Sequence, residues 1–197
     1  MTGLLEYLKG VRYLTTNKKK GIEMKKKSRV LIWLLVSIFL FSVKGTQAQN
    51  EDDPIGRPYR GVQAYSNGGN FNTKNFQCTE YVMRFYRIIF HVEIQGRGWG
   101  NASGFFSGGA KDENFSAYPN GSIVPPQPDQ ILCYGGGRNG YGHVAIITEV
   151  NIGAGYIKII DQNRHRSNPY LEIPISVSND RYYISNQGLG SSYYVQG

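Results

Sequence analysis

Cysteine and histidine are the residue types that supply a nucleophile and a base near neutral pH. This chain has two cysteines and three histidines. Cys78 lies in Asn75-Phe76-Gln77-Cys78-Thr79-Glu80-Tyr81-Val82, at the head of a run where Cys78, Val82, Phe85 and Ile89 repeat with the spacing of one buried helical face. Asn72, Thr73 and Asn75 are available as N-caps, which puts Cys78 in or near the first helical turn. Unpaired backbone N–H groups and the helix dipole favour negative charge there, so a thiol at that position ionises more readily. That is half of a cysteine nucleophile, and the chain must supply a base.

His91 follows the end of the helical run, and His165 sits between Arg164 and Arg166 in a polar stretch. His143 opens the apolar strand His143-Val144-Ala145-Ile146-Ile147, where a histidine can be structural as well as catalytic. Register bears on the choice. If Val150 and Tyr156 flank the loop 151–155, His143 lies opposite Asn163 and Ala145 opposite Asp161. Asp161 and Asn163, two apart, share a face in extended chain. Directly opposed Cβ atoms lie about 4.5–5.5 Å apart, so both side chains fall within reach of the imidazole. Cys78, His143 and Asp161 with Asn163 then read as nucleophile, base and orienters. A one-residue slip would put Asp161 on the other face. Asp161 and Asn163 also suit a strand-end turn without catalytic duty.

The elements that must hold these residues follow from periodicity. A helix over 78–90 and a short second one from Asn101 through Phe106 precede a proline-punctuated loop over 111–130. Strands are expected at 131–134, 142–150, 156–161, 170–177, 181–185 and 192–195, with a shorter strand-like stretch at 91–94. Helices first and an antiparallel meander after them make an α+β domain.

Cys133 alternates with Leu132 and Tyr134 and reads as a small buried residue. The rival reading is a Cys78–Cys133 disulfide, which would abolish the nucleophile and leave a non-catalytic binding module. Trp99, Tyr134 and Tyr141 could stack on a sugar or peptide, or could be packing residues. The Cys78 backbone N–H and the Gln77 side chain are candidate oxyanion donors, and Gln77 could equally be a plain helix-start residue.

The net charge of +8 misleads. Ten of the 22 Lys and Arg residues precede Gln49, leaving 12 basic and 12 acidic residues after it. No basic patch remains to argue for nucleic acid. The basic front has its own reading. Met24-Lys25-Lys26-Lys27-Ser28-Arg29, the apolar run 30–43 and the small residues Thr46-Gln47-Ala48 form the three parts of a secretory signal peptide. The apolar run is shorter than the ~18 residues of a spanning helix, and its flanks fit a cleaved signal better than the alternative of an uncleaved N-terminal anchor, so no stable membrane insertion is expected after processing. We expect translation to begin at Met24, cleavage near Ala48, an acidic leader over 49–58 and one domain over 59–197. An exported domain works in an oxidising compartment.

Gln77-Cys78-Thr79-Glu80-Tyr81-Val82, Trp99-Gly100-Asn101-Ala102, Pro128-Asp129-Gln130-Ile131, Gly142-His143-Val144-Ala145-Ile146-Ile147 and Ile160-Asp161-Gln162-Asn163 together resemble CHAP domains. These are cysteine, histidine-dependent amidohydrolases and peptidases. The resemblance implies a papain-like fold, an N-terminal helix bearing Cys78 packed on an antiparallel sheet of about five or six strands. It implies hydrolysis of peptidoglycan amide bonds by a secreted monomer, as an N-acetylmuramoyl-L-alanine amidase or an endopeptidase. Cys78 would be the nucleophile, His143 the base, Asp161 its orienter and Asn163 the polar partner two residues on. Substrate would meet Gln77, Trp99 and Tyr141, and no cofactor is implied. Three departures stand out. Asp129-Gln130 replaces a usual Gly-Asp, and Glu80 stands where a tryptophan commonly follows Cys-Thr. Residues 67–75 lack the aspartates with which some members bind calcium, so no metal site is expected.

Overall fold

The helical stripe around Cys78 becomes helix α1, Cys78–Phe90, which buries Cys78, Tyr81, Val82 and Phe85. The structure, a computed structural model, describes residues 50–69, 75–94, 97–165 and 167–197. The signal-peptide reading of 1–48 and the proposed caps Asn72 and Thr73 lie outside the described residues. The N-cap position of α1 is held by Gln77, in extended backbone and with no side-chain capping bond, and not by Asn75. Phe76, at φ 54, turns the chain into it. His91 ends α1 in the left-handed conformation, φ 58, and the expected strand at 91–94 is irregular chain. Residues 102–104 form a 3₁₀ turn that runs into the short helix α2, Phe105–Gly109.

Among the described residues the sheet has six strands, all neighbours antiparallel. They are β3 (Ile131–Gly136), β4 (His143–Asn151), β5 (Tyr156–Ile160), β6 (Tyr170–Ser178), β7 (Arg181–Ile184) and β8 (Tyr193–Val195), in the order β7-β6-β5-β4-β3-β8. Alternation divides the side chains. Cys133, Val144, Ile146 and Ile160 pack with Cys78, Tyr81, Val82 and Phe85 of α1. Leu132, Tyr134, Ala145, Ile147, Ile157, Ile159 and Ile173 form the second cluster. Burial on both faces explains the unbroken apolar run of β4. Each fully buried Ile, Val or Leu contributes about 1.5–3 kcal/mol.

The β4–β5 register contains a compensation. The turn is closed by Asn151 opposite Tyr156, one residue away from a symmetric five-residue loop. A bulge at Thr148, between Ile147 and Glu149, takes up that residue, so Ile147 faces Ile159 and Ile146 faces Ile160. Continued past Ile160, this register puts Asp161 on the same face as His143.

The segment expected as a leader is a strand. β1 (Glu51–Tyr59) pairs with β2 (Val62–Asn67), and Ile55, Val62 and Ala64 are buried in the cluster beneath α1. Pro54 sits at a register irregularity, where a missing N–H is tolerated. Asp129 anchors one end of this hairpin, accepting hydrogen bonds from Tyr59 at 2.8 Å and from Arg60. Its φ of 72 is a glycine conformation, which accounts for the usual glycine at this turn. Among the described residues no helix is long and apolar enough to cross a membrane.

Candidate active site

The first turn of α1 and the first residue of β4 meet at the site. The Cys78 thiol is hydrogen-bonded to the His143 ring and to the Val144 backbone. His143 Nε2 lies 2.9 Å from Asp161 Oδ2, which leaves Nδ1 as the ring nitrogen for the thiol. Cys78 is 8% exposed, His143 5% and Asp161 1%. Burial is the largest influence on both titrating groups, pushing the thiol up and the imidazole down. It is outweighed on both sides. The His143 charge and the hydrogen bonds from His143 and Val144 hold Cys78 below its ordinary 9.0, although the Asp161 charge opposes them. The Cys78 charge and the hydrogen bonds to Asp161 and Cys78 raise His143 from 6.5 to about 10. Both shifts run the same way, favouring transfer of the proton from sulfur to the imidazole.

Asp161 follows the last residue of β5, its N–H bonded to the Pro169 carbonyl at 3.0 Å. Its Oδ2 also accepts from Arg164 Nε at 2.7 Å, and both side chains are largely buried. Arg164 was not anticipated from the sequence. The available signal was an Arg three residues beyond an Asp at a strand end, a spacing that lets the two meet around a turn. Tyr134, the cross-strand partner of His143, is fully buried, with its ring centroid 6.3 Å from the imidazole. It is a packing residue and not a stacking surface for substrate.

Asn163 does not reach His143. Its φ of 69 bends the chain left-handed just past the strand, so the alternation that would align it with Asp161 no longer applies. It bridges instead, donating from Nδ2 to Gln77 Oε1 and accepting from Asn67 Nδ2 at Oδ1. Gln77 is therefore held by its side chain beside Cys78. The residue between Asp161 and Asn163 proves central. Gln162 is completely buried, accepts from the Tyr65 N–H at 2.8 Å and from Arg84 at 2.9 Å, and donates to Glu80 at 2.8 Å and to the Gln77 carbonyl at 3.2 Å. Glu80, the departure after Cys-Thr, thus has a partner set of its own: Gln162 and, at 2.6 Å, Arg84. Arg84 lies between the rings of Tyr65 and Tyr81, 5.3 and 5.4 Å from their centroids, and ties the β1–β2 hairpin to α1.

Trp99 is 8% exposed and packs edge-on against Phe105 and Phe115, with centroids 5.3 and 4.9 Å away. It is packed among these rings in the cluster beneath α1. Tyr141, on the loop leading into His143, is 58% exposed, and its carbonyl accepts from the Ser103 N–H at 2.8 Å. Cys78 and Cys133 are both free thiols, which overturns the disulfide reading. Burial raises Cys133 to about 12. Among the described residues no group of three or more His, Cys, Asp or Glu side chains gathers as metal ligands would.

Comparison with known protein families finds a match to the model described as CHAP domain, over residues 66–163. No curated protein matches the chain. The matched span runs from the end of β2 to Asn163 and contains Cys78, His143 and Asp161.

Proposed function

Because residues 66–163 belong to the CHAP domain family, we propose that this protein is a cysteine hydrolase that cleaves amide bonds of peptidoglycan. The observation that carries the reading is the ordered contact of Cys78 with His143 and of His143 with Asp161. A buried thiol beside an imidazole whose far nitrogen is fixed by a carboxylate is a poised nucleophile.

In the reaction the Cys78 thiolate attacks the scissile carbonyl carbon, and the carbonyl electrons move to oxygen. The Cys78 backbone N–H at the helix start faces that oxyanion, with the Gln77 amide beside it. The intermediate collapses, the C–N bond breaks and the His143 imidazolium gives its proton to the leaving amine. A thioester remains on Cys78. Neutral His143 then takes a proton from water as the water attacks the thioester, and returns that proton to sulfur or shares it as the acid leaves. Asp161 holds the ring throughout and stabilises its charged form.

The order of elements, a helix bearing the cysteine and then an antiparallel sheet bearing the histidine at a strand start, supports a papain-like arrangement. The signal-peptide pattern ahead of residue 49 supports secretion or a place in the cell envelope, where a monomer would meet the wall without nucleic acid or membrane as partner.

Zymography on purified peptidoglycan, with wild type beside Cys78→Ala, tests the reading. Clearing by wild type alone is expected, and mass spectrometry of the fragments then separates cleavage at the sugar–peptide amide from cleavage within the stem or cross-bridge. No clearing by freshly reduced wild type, or equal clearing by both, overturns it.

A further inference from the structure

The run Gly135-Gly136-Gly137 leads from β3 into the loop before His143, and it is covered by tyrosines of the last strand. Gly135 pairs with Tyr194 and Gly136 with Tyr193. A Cβ on Gly135 would lie inside the Tyr194 ring, and one on Gly137 inside the Tyr193 ring. The absent side chains therefore seat the two rings directly on the backbone of β3. Tyr193 packs into the cluster with Tyr134 and Val195. Tyr194, on the opposite face of its strand, is 57% exposed.

Its position relates it to the reactive thiol. Tyr134 pairs with His143 across β3 and β4, and the Gly135–Tyr194 pair is the next row. By alternation that row presents its side chains on the face of Cys133, the face that packs with Cys78. One side of the Tyr194 ring rests on glycine, so the other side is what solvent meets. The segment that carries it is uncharged: residues 186–197 have no Asp, Glu, Lys or Arg, but hold Asn186, Gln187, Ser191 and Ser192. A flat aromatic face among uncharged hydrogen-bonding groups suits a pyranose, which has an apolar face and a rim of hydroxyls and amides. An ionised stem peptide would find no counter-charge in this segment.

We propose that Tyr194, seated on Gly135 two strands away from His143, is a glycan subsite that stacks an N-acetylated hexose of the peptidoglycan strand. This deepens the peptidoglycan reading and rests on it for the identity of the sugar. It makes the substrate a sugar-bearing fragment, with Tyr194 a specificity residue that contacts the saccharide and takes no part in bond breaking.

The test uses the full chain carrying Cys78→Ala, so that substrate persists, titrated with a soluble N-acetylglucosamine oligosaccharide and with a sugar-free stem peptide and followed by tyrosine fluorescence and NMR. Saturable binding of the oligosaccharide is expected, weakened roughly tenfold or more by Tyr194→Ala and changed less than about twofold by Tyr194→Phe. Gly135→Ser, which unseats the ring without altering it, should weaken binding likewise, and peptide binding should not follow these variants. Thermal melting identifies any variant that fails to fold, in which case the Tyr194→Phe and Gly135→Ser comparison decides. No saturable oligosaccharide binding by the parent, or equal binding by Tyr194→Ala, overturns the inference. Binding needs no turnover, so the subsite survives a failed zymogram, and hydrolysis can survive the loss of the subsite.

Discussion

His143 Nε2 lies 2.9 Å from Asp161 Oδ2, and that contact depends on a bulge at Thr148 five residues along β4. Without the extra residue, the offset turn at Asn151–Tyr156 would carry through the ladder and put Asp161 on the opposite face of the sheet. Asp161 Oδ2 is also held by Arg164 at 2.7 Å, so the acceptor that faces the imidazole is fixed from a second side.

Asp161→Asn keeps the shape and removes the charge. His143 loses a partner that raises it, and Cys78 in turn is less readily ionised. A fall in kcat of about 100-fold or more is expected, with iodoacetamide alkylation of Cys78 slowed at neutral pH. Alkylation as fast as in wild type would show that Asp161 does not tune the pair.

The pH dependence has a definite sign. Cys78 lies below 9.0 and His143 near 10, so the charged pair exists above the lowered thiol value and ends as His143 deprotonates. Activity should rise on the acid side and fall near pH 10. The stability contributed by His143 is complete below its unfolded 6.5 and is lost as pH rises through about 10. That contributed by Cys78 is present above 9.0 and is lost as pH falls through its lowered value. Thiolate ultraviolet absorbance, wild type minus Cys78→Ser, measures the first step. In His143→Ala burial acts without its main opponent, and the thiol should titrate above 9.0.

Gln162→Met keeps the volume but leaves the Tyr65 N–H without its acceptor and takes one partner each from Glu80 and Arg84, which keep each other. A loss of about 2–3 kcal/mol is expected in urea unfolding. Gln162 also holds the carbonyl of the Gln77–Cys78 peptide, at 3.2 Å, so kcat should fall while the alkylation rate of the folded variant stays close to wild type. A loss of stability with unchanged kcat would make Gln162 purely structural.

Cys133, raised to about 12 by burial, should resist alkylation in the native protein and label only on unfolding. Peptide mapping after a short pulse of reagent should find the label on Cys78. Cys133→Ala should keep full turnover at a cost of about 1–2 kcal/mol in stability.

Much of this architecture is legible in local pattern. The stripe Cys78, Val82, Phe85, Ile89 marks a helix that begins and ends where α1 does, and the apolar runs in the second half mark β3 to β8. Other features carry no periodic signal. β1 is acidic and contains Pro54, yet it is a strand because Ile55 finds a buried place against α1. Trp99 looks the same in sequence wherever it sits, and its edge-on contacts with Phe105 and Phe115 come only with the fold.

The sequence by itself determined that a cysteine opens a helix and a histidine opens a strand, because helix and strand periods are written in neighbouring residues. Only the tertiary structure decided which polar side chains meet them. The Thr148 bulge aligns Asp161 with His143, the left-handed turn at Asn163 sends that amide to Gln77 instead, and Gln162 closes the network behind Cys78. The physical reason is that register and turn handedness are settled by pairing between distant segments. A shift of one residue there moves a side chain to the other face while leaving every local period intact.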